Sequence, residues 1–190
     1  MDIVHDYLSF VAGRHDIWVQ RRKGTDWTTP DPLLRTRKFT NVFRVLDYGT
    51  QFVIRELFDN GTAEPSPTTL MRCFLYRYTN RPEPWAWYKG KTGRYPTWRD
   101  MEDGTLLKLW REYDAAGGVF FSSAYTMFSG GENPGVRRFE WAIGLAGQVP
   151  TNGRFYTPSD TRERVDILRQ LPRTGYFMAQ QGATDFGYID

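Results

Sequence analysis

The sequence predicts a mainly all-α domain, and three observations carry that prediction. Between Lys38 and Phe58, the apolar residues Phe39, Val42, Phe43, Leu46, Val53, Ile54 and Leu57 recur at helical spacing, so a long helix there would turn one face to a core. Segments of the same period return further along, at 68–78, 101–116, 137–148 and 161–171, separated by turn-forming residues. Finally, Leu171-Pro172-Arg173-Thr174-Gly175 joins two helical patterns by a tight turn. The one stretch that reads otherwise lies near 118–126, where Val119-Phe120-Phe121 suits a short β element or a buried segment.

Length and composition narrow the classes further. A chain of 190 residues can bury a core of its own and reads as a single domain, 1–190. Cys73 is the sole cysteine, which removes disulfide scaffolds and cysteine-rich zinc sites. With two histidines, His5 and His15, a structural metal site is not expected; a carboxylate-bound Mg²⁺ stays open, and no other cofactor is implied. No apolar run approaches the roughly 18 residues of a membrane span, and Met1-Asp2-Ile3-Val4 lacks the basic start of a signal peptide. The expected location is the cytoplasm.

The net charge is only +3, but the arginines are clustered and aromatic residues make up 16% of the chain. Arg14, Arg21, Arg22 and Lys23 lie near Trp18 and Trp27 in sequence, and Arg35, Arg37 and Lys38 follow. Guanidinium groups bind phosphate bidentately and rings stack on bases whatever their sequence, so this interleaving suits a nucleic-acid surface. The alternative is local: Gln20-Arg21-Arg22-Lys23 also complements a helix C-terminus.

Taken in order, Asp2–Lys23 reads as a helix interrupted at Gly13 and stopped by Gly24. Asp31 caps a short helix with Pro32 in its first turn. The long 38–58 helix follows. After the turn formers of 60–67, Thr68 or Thr69 caps a helix carrying Leu70, Cys73, Phe74 and Tyr78. The aromatic stretch from Trp85 to Arg99 is too punctuated by Gly and Pro for one long element. Its Gly90-Lys91-Thr92 is not a phosphate-binding P-loop, since Trp85 stands where that motif requires glycine. Met101–Ala116 and Arg137–Gln148 are helical, with a Gly-rich loop at 129–135 between them. Thr157–Asp160 then supplies caps for a helix from Thr161 to Leu171.

Two polar arrays stand out. Thr40, Arg44, Asp47 and Gln51 share one side of the 38–58 helix, either as a solvated face with an Arg44–Asp47 pair or as a polar site over a buried back. Near the end, Asp185 shares a face with Met178 and Gln181, beside Gln180 and Thr184; a buried carboxylate there should seek Arg44 or another cation, or act as a base.

The 171–179 segment resembles the helix-hairpin-helix of DNA glycosylases, written L-P-G-V-G and then T-A. Leu171, Pro172, Gly175 and Ala179 match, while Arg173 and Thr174 replace glycine and valine. In such a hairpin, backbone N–H groups at the start of the second helix hold a DNA phosphate without base specificity, making Arg173, Thr174 and Gly175 candidate DNA contacts, with Lys38 as a further one. Phe177 stands where lyase members carry lysine, which disfavours Schiff-base chemistry.

Several blocks, Gly13-Arg14-His15-Asp16-Ile17-Trp18, Asp31-Pro32-Leu33-Leu34, Lys38-Phe39-Thr40-Asn41-Val42-Phe43-Arg44-Val45-Leu46-Asp47 and Gly175-Tyr176-Phe177-Met178-Ala179-Gln180-Gln181 with Asp185, resemble the helical-domain family of 5-hydroxymethyluracil DNA kinases. Its relatives include the phage amino acid:DNA transferases, or alpha-glutamyl/putrescinyl-thymine pyrophosphorylases. The resemblance implies a glycosylase-like helical domain acting in thymine hypermodification of bacteriophage DNA. There an amino acid or amine displaces pyrophosphate from pyrophosphorylated 5-hydroxymethyluracil, in a base flipped out of the duplex. It also implies a segment beyond the aspartate in relatives that this chain does not contain.

On that resemblance, Asp185 or Asp47 is the candidate base and Arg44 a catalytic cation. Arg14, His15, Arg21 and Arg22 are candidates for substrate phosphates, and Asn41, Gln180 and Gln181 for the uracil edge. Two alternatives stand beside the transferase: a glycosylase-like base-excision enzyme, and a non-catalytic DNA-binding module partnering a separate P-loop kinase.

Overall fold

The computed structural model describes residues 3–37, 39–122, 136–151, 153–156 and 160–189. Among them are ten α-helices and no β-strand. The chain divides into two compact units, Met1–Gln51 and Phe52–Asp190.

The first unit opens with α1 (Ile3–Arg22), which runs through Gly13 without interruption and is followed by Gly24 in the left-handed region, φ 69°. Gly13 serves packing instead: a Cβ there would lie 2.9 Å from Leu34 Cδ1, and Leu34 is buried. α2 (Pro32–Thr36) starts as expected, the Asp31 carboxylate accepting from the N–H of Leu33 at 2.8 Å.

The single long helix expected over 38–58 does not form. After non-helical backbone at 39–43 come a 3₁₀ turn (Arg44–Leu46), α3 (Tyr48–Phe52) and a π-helical turn (Val53–Leu57). Side-chain amides explain the break. Asn41 Nδ2 donates to the carbonyl of Leu46 at 2.9 Å, and Gln51 Nε2 to that of Val45 at 2.6 Å, so carbonyls at the turn are taken by side chains rather than by a helical ladder.

The second unit is built around α4 (Pro67–Thr79). Its cap is Ser66, not Thr68 or Thr69; Thr69 completes the capping box by accepting the Ser66 N–H at 2.8 Å. Nine of its thirteen residues are buried, which places α4 at the centre of a core rather than at its edge. It packs against the π-helical turn and against α6 (Trp98–Glu102), α8 (Arg138–Ala146) and α10 (Tyr176–Phe186).

As expected, no one long element spans 85–99; two helices share it, with a break over 93–97. α5 (Glu83–Thr92) has Pro84 in its first turn and ends on Gly93 at φ 78°, so Gly90-Lys91-Thr92 is simply its last turn. Gly104, at φ 82°, separates α6 from α7 (Thr105–Ala115), dividing what periodicity reads as one helix. α7 buries Leu106 and Trp110, leaving Leu107 and Leu109 half-buried.

A row of rings crosses this unit. Phe52 stacks on Tyr76 (5.1 Å), Tyr76 meets Trp85 (6.2 Å), Trp85 meets Trp110 (5.7 Å), and Trp110 reaches Phe120 (5.3 Å), which stacks on Phe139 of α8 at 4.4 Å. Phe120 thus belongs to a buried irregular segment; no strand forms over 118–122, and the rest of the β element considered at 118–126, like the loop at 129–135, lies outside the described residues.

α8 buries Phe139, Ile143 and Ala146 as its period predicts. α9 (Thr161–Leu168) is capped by Asp160, whose carboxylate accepts from Arg162 N–H at 3.0 Å, and it packs on α10 across the 169–175 turn. No helix is long and apolar enough to cross a membrane among the described residues.

Candidate functional site

In the first unit, α1, α2 and the 39–41 segment enclose a pocket of about 500 Å³. Arg14, Arg21, Arg35 and Arg37 line it together with Trp18, Trp27 and Phe39, and no carboxylate is among the lining residues. α1 contributes Arg14, Trp18 and Arg21 at steps of four and three, which puts them on one face. Rings hold the cations in place: the Arg21 guanidinium sits 4.9 Å from the centre of Trp27, and that of Arg14 lies 5.6 Å from Phe39. Arg14 Nη2 also donates to the Thr40 carbonyl and, at 3.3 Å, to the Thr40 hydroxyl.

Of the residues singled out in the sequence, Arg14, Arg21 and Asn41 meet in this pocket. Asn41 brings a fourth: its Nδ2 donates to Asp47 Oδ1 at 3.1 Å, so this carboxylate stands directly behind a pocket residue. Its carbonyl oxygen has no partner among the described residues. His15 stacks on Trp18 at 5.8 Å and meets Phe43 edge-on, with Nδ1 buried, while Arg22 lies against Trp18 from the exposed end of α1. Arg44 falls in the 3₁₀ turn, so the expected Thr40–Arg44–Asp47–Gln51 helical stripe does not exist as such. Lys38 lies outside the described residues.

Asp185 belongs to the second unit, on the inward face of α10, with none of its surface exposed. Its counter-ion is Arg77 of α4, whose Nε donates to Oδ2 and whose side chain is itself only 10% exposed. Burial disfavours the Arg77 charge, but the Asp185 carboxylate, by charge and hydrogen bond together, more than offsets this and holds the guanidinium above its ordinary range. Cys73 Sγ approaches the same carboxylate at 4.0 Å. A cation of the kind predicted for a buried Asp185 is therefore present within the second unit, in Arg77. Gln181 is half-buried and Gln180 exposed on α10.

The hairpin places its residues unequally. Gly175 opens α10 with extended backbone and nothing near an added Cβ, leaving the approach to it open. Arg173 is exposed, takes the left-handed conformation (φ 56°) at the motif's glycine position, and stacks 4.8 Å from the Trp141 ring. Thr174, by contrast, is turned inward: its hydroxyl lies 3.4 Å from that of Tyr78, and its N–H donates to the Leu171 carbonyl.

Sequence reasoning grouped Arg35, Arg37, Trp18 and Trp27 into an arginine-and-aromatic cluster suited to nucleic acid but did not name them as residues of the site. It missed Arg77 altogether. Arg77 is one of two arginines in α4, with Arg72, and nothing in the sequence marks which of them meets a buried anion. Among the described residues no three His, Cys, Asp or Glu side chains gather into a metal-binding group.

Among the described residues the first unit thus gathers four arginines and two tryptophans around one pocket, an arrangement chemically suited to an anion or a planar ring. The family is defined by sequence: the model for the 5-hmdU DNA kinase, helical domain, matches residues 1–190, and the chain belongs to that family. Comparison with curated proteins and with solved structures gives no match.

Proposed function

We propose that this chain is a thymine-hypermodification domain of phage DNA metabolism, working in the cytoplasm of the infected cell, which transfers an amino acid or amine onto pyrophosphorylated 5-hydroxymethyluracil in DNA. The observation that supports this reading is the carboxylate-free pocket, where four arginines and two tryptophans surround Asn41 and Asp47 stands behind it. A diphosphate brings several negative charges, which the arginines neutralise, and the tryptophans suit the face of a flipped pyrimidine.

In the reaction, the amine nitrogen forms a bond to the 5-methylene carbon. The carbon–oxygen bond to the diphosphate breaks, and pyrophosphate departs with the electron pair. Arg14, Arg21, Arg35 and Arg37 stabilise the charge that develops on the leaving group, and Asp47 takes the proton the attacking nitrogen loses. Asp185 serves this reading as the internal partner of Arg77, and Arg173 and Gly175 as sequence-independent contacts to the DNA backbone.

The experiment is mass spectrometry of nucleosides from DNA bearing the pyrophosphorylated base, incubated with the chain and a set of amines and amino acids, with pyrophosphate release measured in parallel. An amine-bearing nucleoside is expected. Asp47→Asn should slow its formation on the order of 100-fold or more, as loss of a general base does. No such product with any amine would overturn the transferase. Abasic sites would indicate base excision instead. The family's kinase name and the absence of a P-loop in this sequence favour one other reading, a DNA-binding module beside a separate kinase, which predicts salt-sensitive DNA binding without turnover.

A further inference from the structure

The pocket of the first unit is rich in donors and poor in acceptors, and the group that breaks this pattern is held in a fixed orientation. Its lining includes four arginines and two tryptophans, whose polar side-chain atoms are all N–H donors, and no Asp, Glu or Gln. Thr40 and Thr36 add hydroxyls. The first already accepts from Arg14 Nη2 at 3.3 Å, and the second donates to the Pro32 carbonyl at 2.9 Å. Asn41 alone among the lining residues brings a side-chain carbonyl. Its Nδ2 has two hydrogens, and both are engaged: Nδ2 donates to the Leu46 carbonyl at 2.9 Å and to Asp47 Oδ1 at 3.1 Å. Neither Leu46 nor Asp47 lines the pocket. Flipping the amide would turn Oδ1 against a carbonyl and a carboxylate, two acceptors, so the flipped form is disfavoured. What Asn41 can offer a ligand is Oδ1, which only accepts.

We infer that Asn41 sets base choice in this pocket: its Oδ1 accepts from the N3–H of a uracil-type ring and turns away a cytosine-type ring. The inference rests on the transferase reading above, for which it names the group that selects the base. The pairing edge of uracil runs acceptor, donor, acceptor (O4, N3–H, O2), which suits one acceptor set among donors. Cytosine presents an amino group and a bare N3. Its N3 lone pair would face Oδ1, and its amino group would face guanidinium donors. A phosphate by itself gains nothing from a carbonyl oxygen at its side, whereas a uracil edge does.

The test is binding of the full 190-residue chain to three DNA single strands that differ at one base: 5-hydroxymethyluracil, its N3-methyl form and 5-hydroxymethylcytosine. Affinities are read by fluorescence anisotropy. Wild type should prefer the first strand over each of the others by about tenfold, the size of one hydrogen bond made against one left unmade. Asn41→Ala should bring all three within about twofold of one another. A partly unfolded variant loses the same factor from every affinity, so the ratios stand. If the variant binds nothing, the N3-methyl strand decides, since it removes the donor from the ligand and leaves the protein unchanged. Equal wild-type affinities for the three strands, or a preference that survives in Asn41→Ala, overturns the role of Asn41 and leaves the transferase reading to its own product assay. Failure of the wild-type chain to bind any strand overturns both.

Discussion

α1 and α4 are both amphipathic on paper, yet no residue of the twenty in α1 is buried, whereas nine of the thirteen in α4 are. Ile3, Val4, Tyr7 and Leu8 remain open to solvent at the start of α1. In its second half Trp18 turns toward arginines rather than toward a core. The difference lies in what surrounds the apolar residues. α4 is apolar nearly all round, its two arginines being answered inside the protein, Arg77 by Asp185 and Arg72 by the carbonyls of Leu57, Tyr95 and Pro96, so helices pack on several of its sides. α1 mixes rings with arginines, Phe10 lying against the Arg14 guanidinium and Trp18 against that of Arg22. One helix commits its apolar surface to the core; the other leaves much of it uncovered.

The sharpest way to break that contrast is to remove the charge pair from the stable side. Asp185→Ala leaves the Arg77 guanidinium without its counter-ion in the core and should lower unfolding stability in urea by about 3–5 kcal/mol. Replacing both partners by apolar residues, Arg77→Met with Asp185→Leu, should recover most of that loss. In α1, Arg21→Ala should change stability by no more than about 0.5 kcal/mol. A loss below about 1 kcal/mol for Asp185→Ala would mean that this pair does not anchor α10. A folded Asp185→Asn variant that still binds DNA but has lost all transfer would return Asp185 to the chemistry.

A smaller effect is expected where α10 crosses α4. A Cβ at Gly182 would overlap the ring of Phe74, which is fully buried and has no room to swing away. Gly182→Ala should therefore cost about 1–3 kcal/mol in the same measurement, through overpacking rather than backbone freedom. A less severe approach exists in the first unit, where a Cβ at Gly13 would lie 2.9 Å from Leu34 Cδ1, the far end of a flexible side chain. Gly13→Ala should be milder there, because that methyl can yield.

The α6 cap adds a pH dependence. The Arg94 guanidinium, followed by the hydroxyl and N–H of Thr97, holds the Asp100 carboxyl well below the ordinary carboxylate range against the opposing effect of burial. A carboxylate depressed in the folded state stabilises the protein fully above its unfolded value of 3.8, and that contribution disappears as pH falls below it. Asp100→Asn should cost about 1 kcal/mol at neutral pH, the size of a lost cap, and the gap from wild type should narrow progressively below pH ~4. A gap of constant size in acid would show that the cap acts by shape alone.

How much of this was legible in the sequence follows the same division. α8 and α9 matched their periods because Phe139, Ile143, Val165 and Leu168 each face one continuous core. The 38–58 stretch did not, because its periodicity says nothing of the Asn41 and Gln51 amides that capture backbone carbonyls across the turn. The arginine pocket was half visible: composition grouped the cations and rings, but only the packing of α2 on α1 through Gly13 and Leu34 showed which of them converge. Arg77 was invisible for a different reason. A pair 108 residues apart leaves no periodic trace, and each partner alone reads as a solvated charge.

The finest test concerns the hairpin, where a conformational cost and a binding role occupy one residue. Arg173 holds a left-handed backbone at the position where the glycosylase pattern has glycine, and a Cβ there is disfavoured by about 1 kcal/mol or slightly more. Replacement by glycine alone is ambiguous, because it removes the stack on Trp141 while relieving the backbone. Comparing Arg173→Gly with Arg173→Ala separates the two: both lose the guanidinium, but only glycine fits the left-handed turn freely. The glycine variant should be the more stable of the pair by about 1 kcal/mol, and both should bind DNA more weakly than wild type by similar factors. Equal stabilities would mean that the turn gives way to the side chain. Retained affinity in both variants would place the phosphate contact on the open backbone at Gly175 rather than on the arginine.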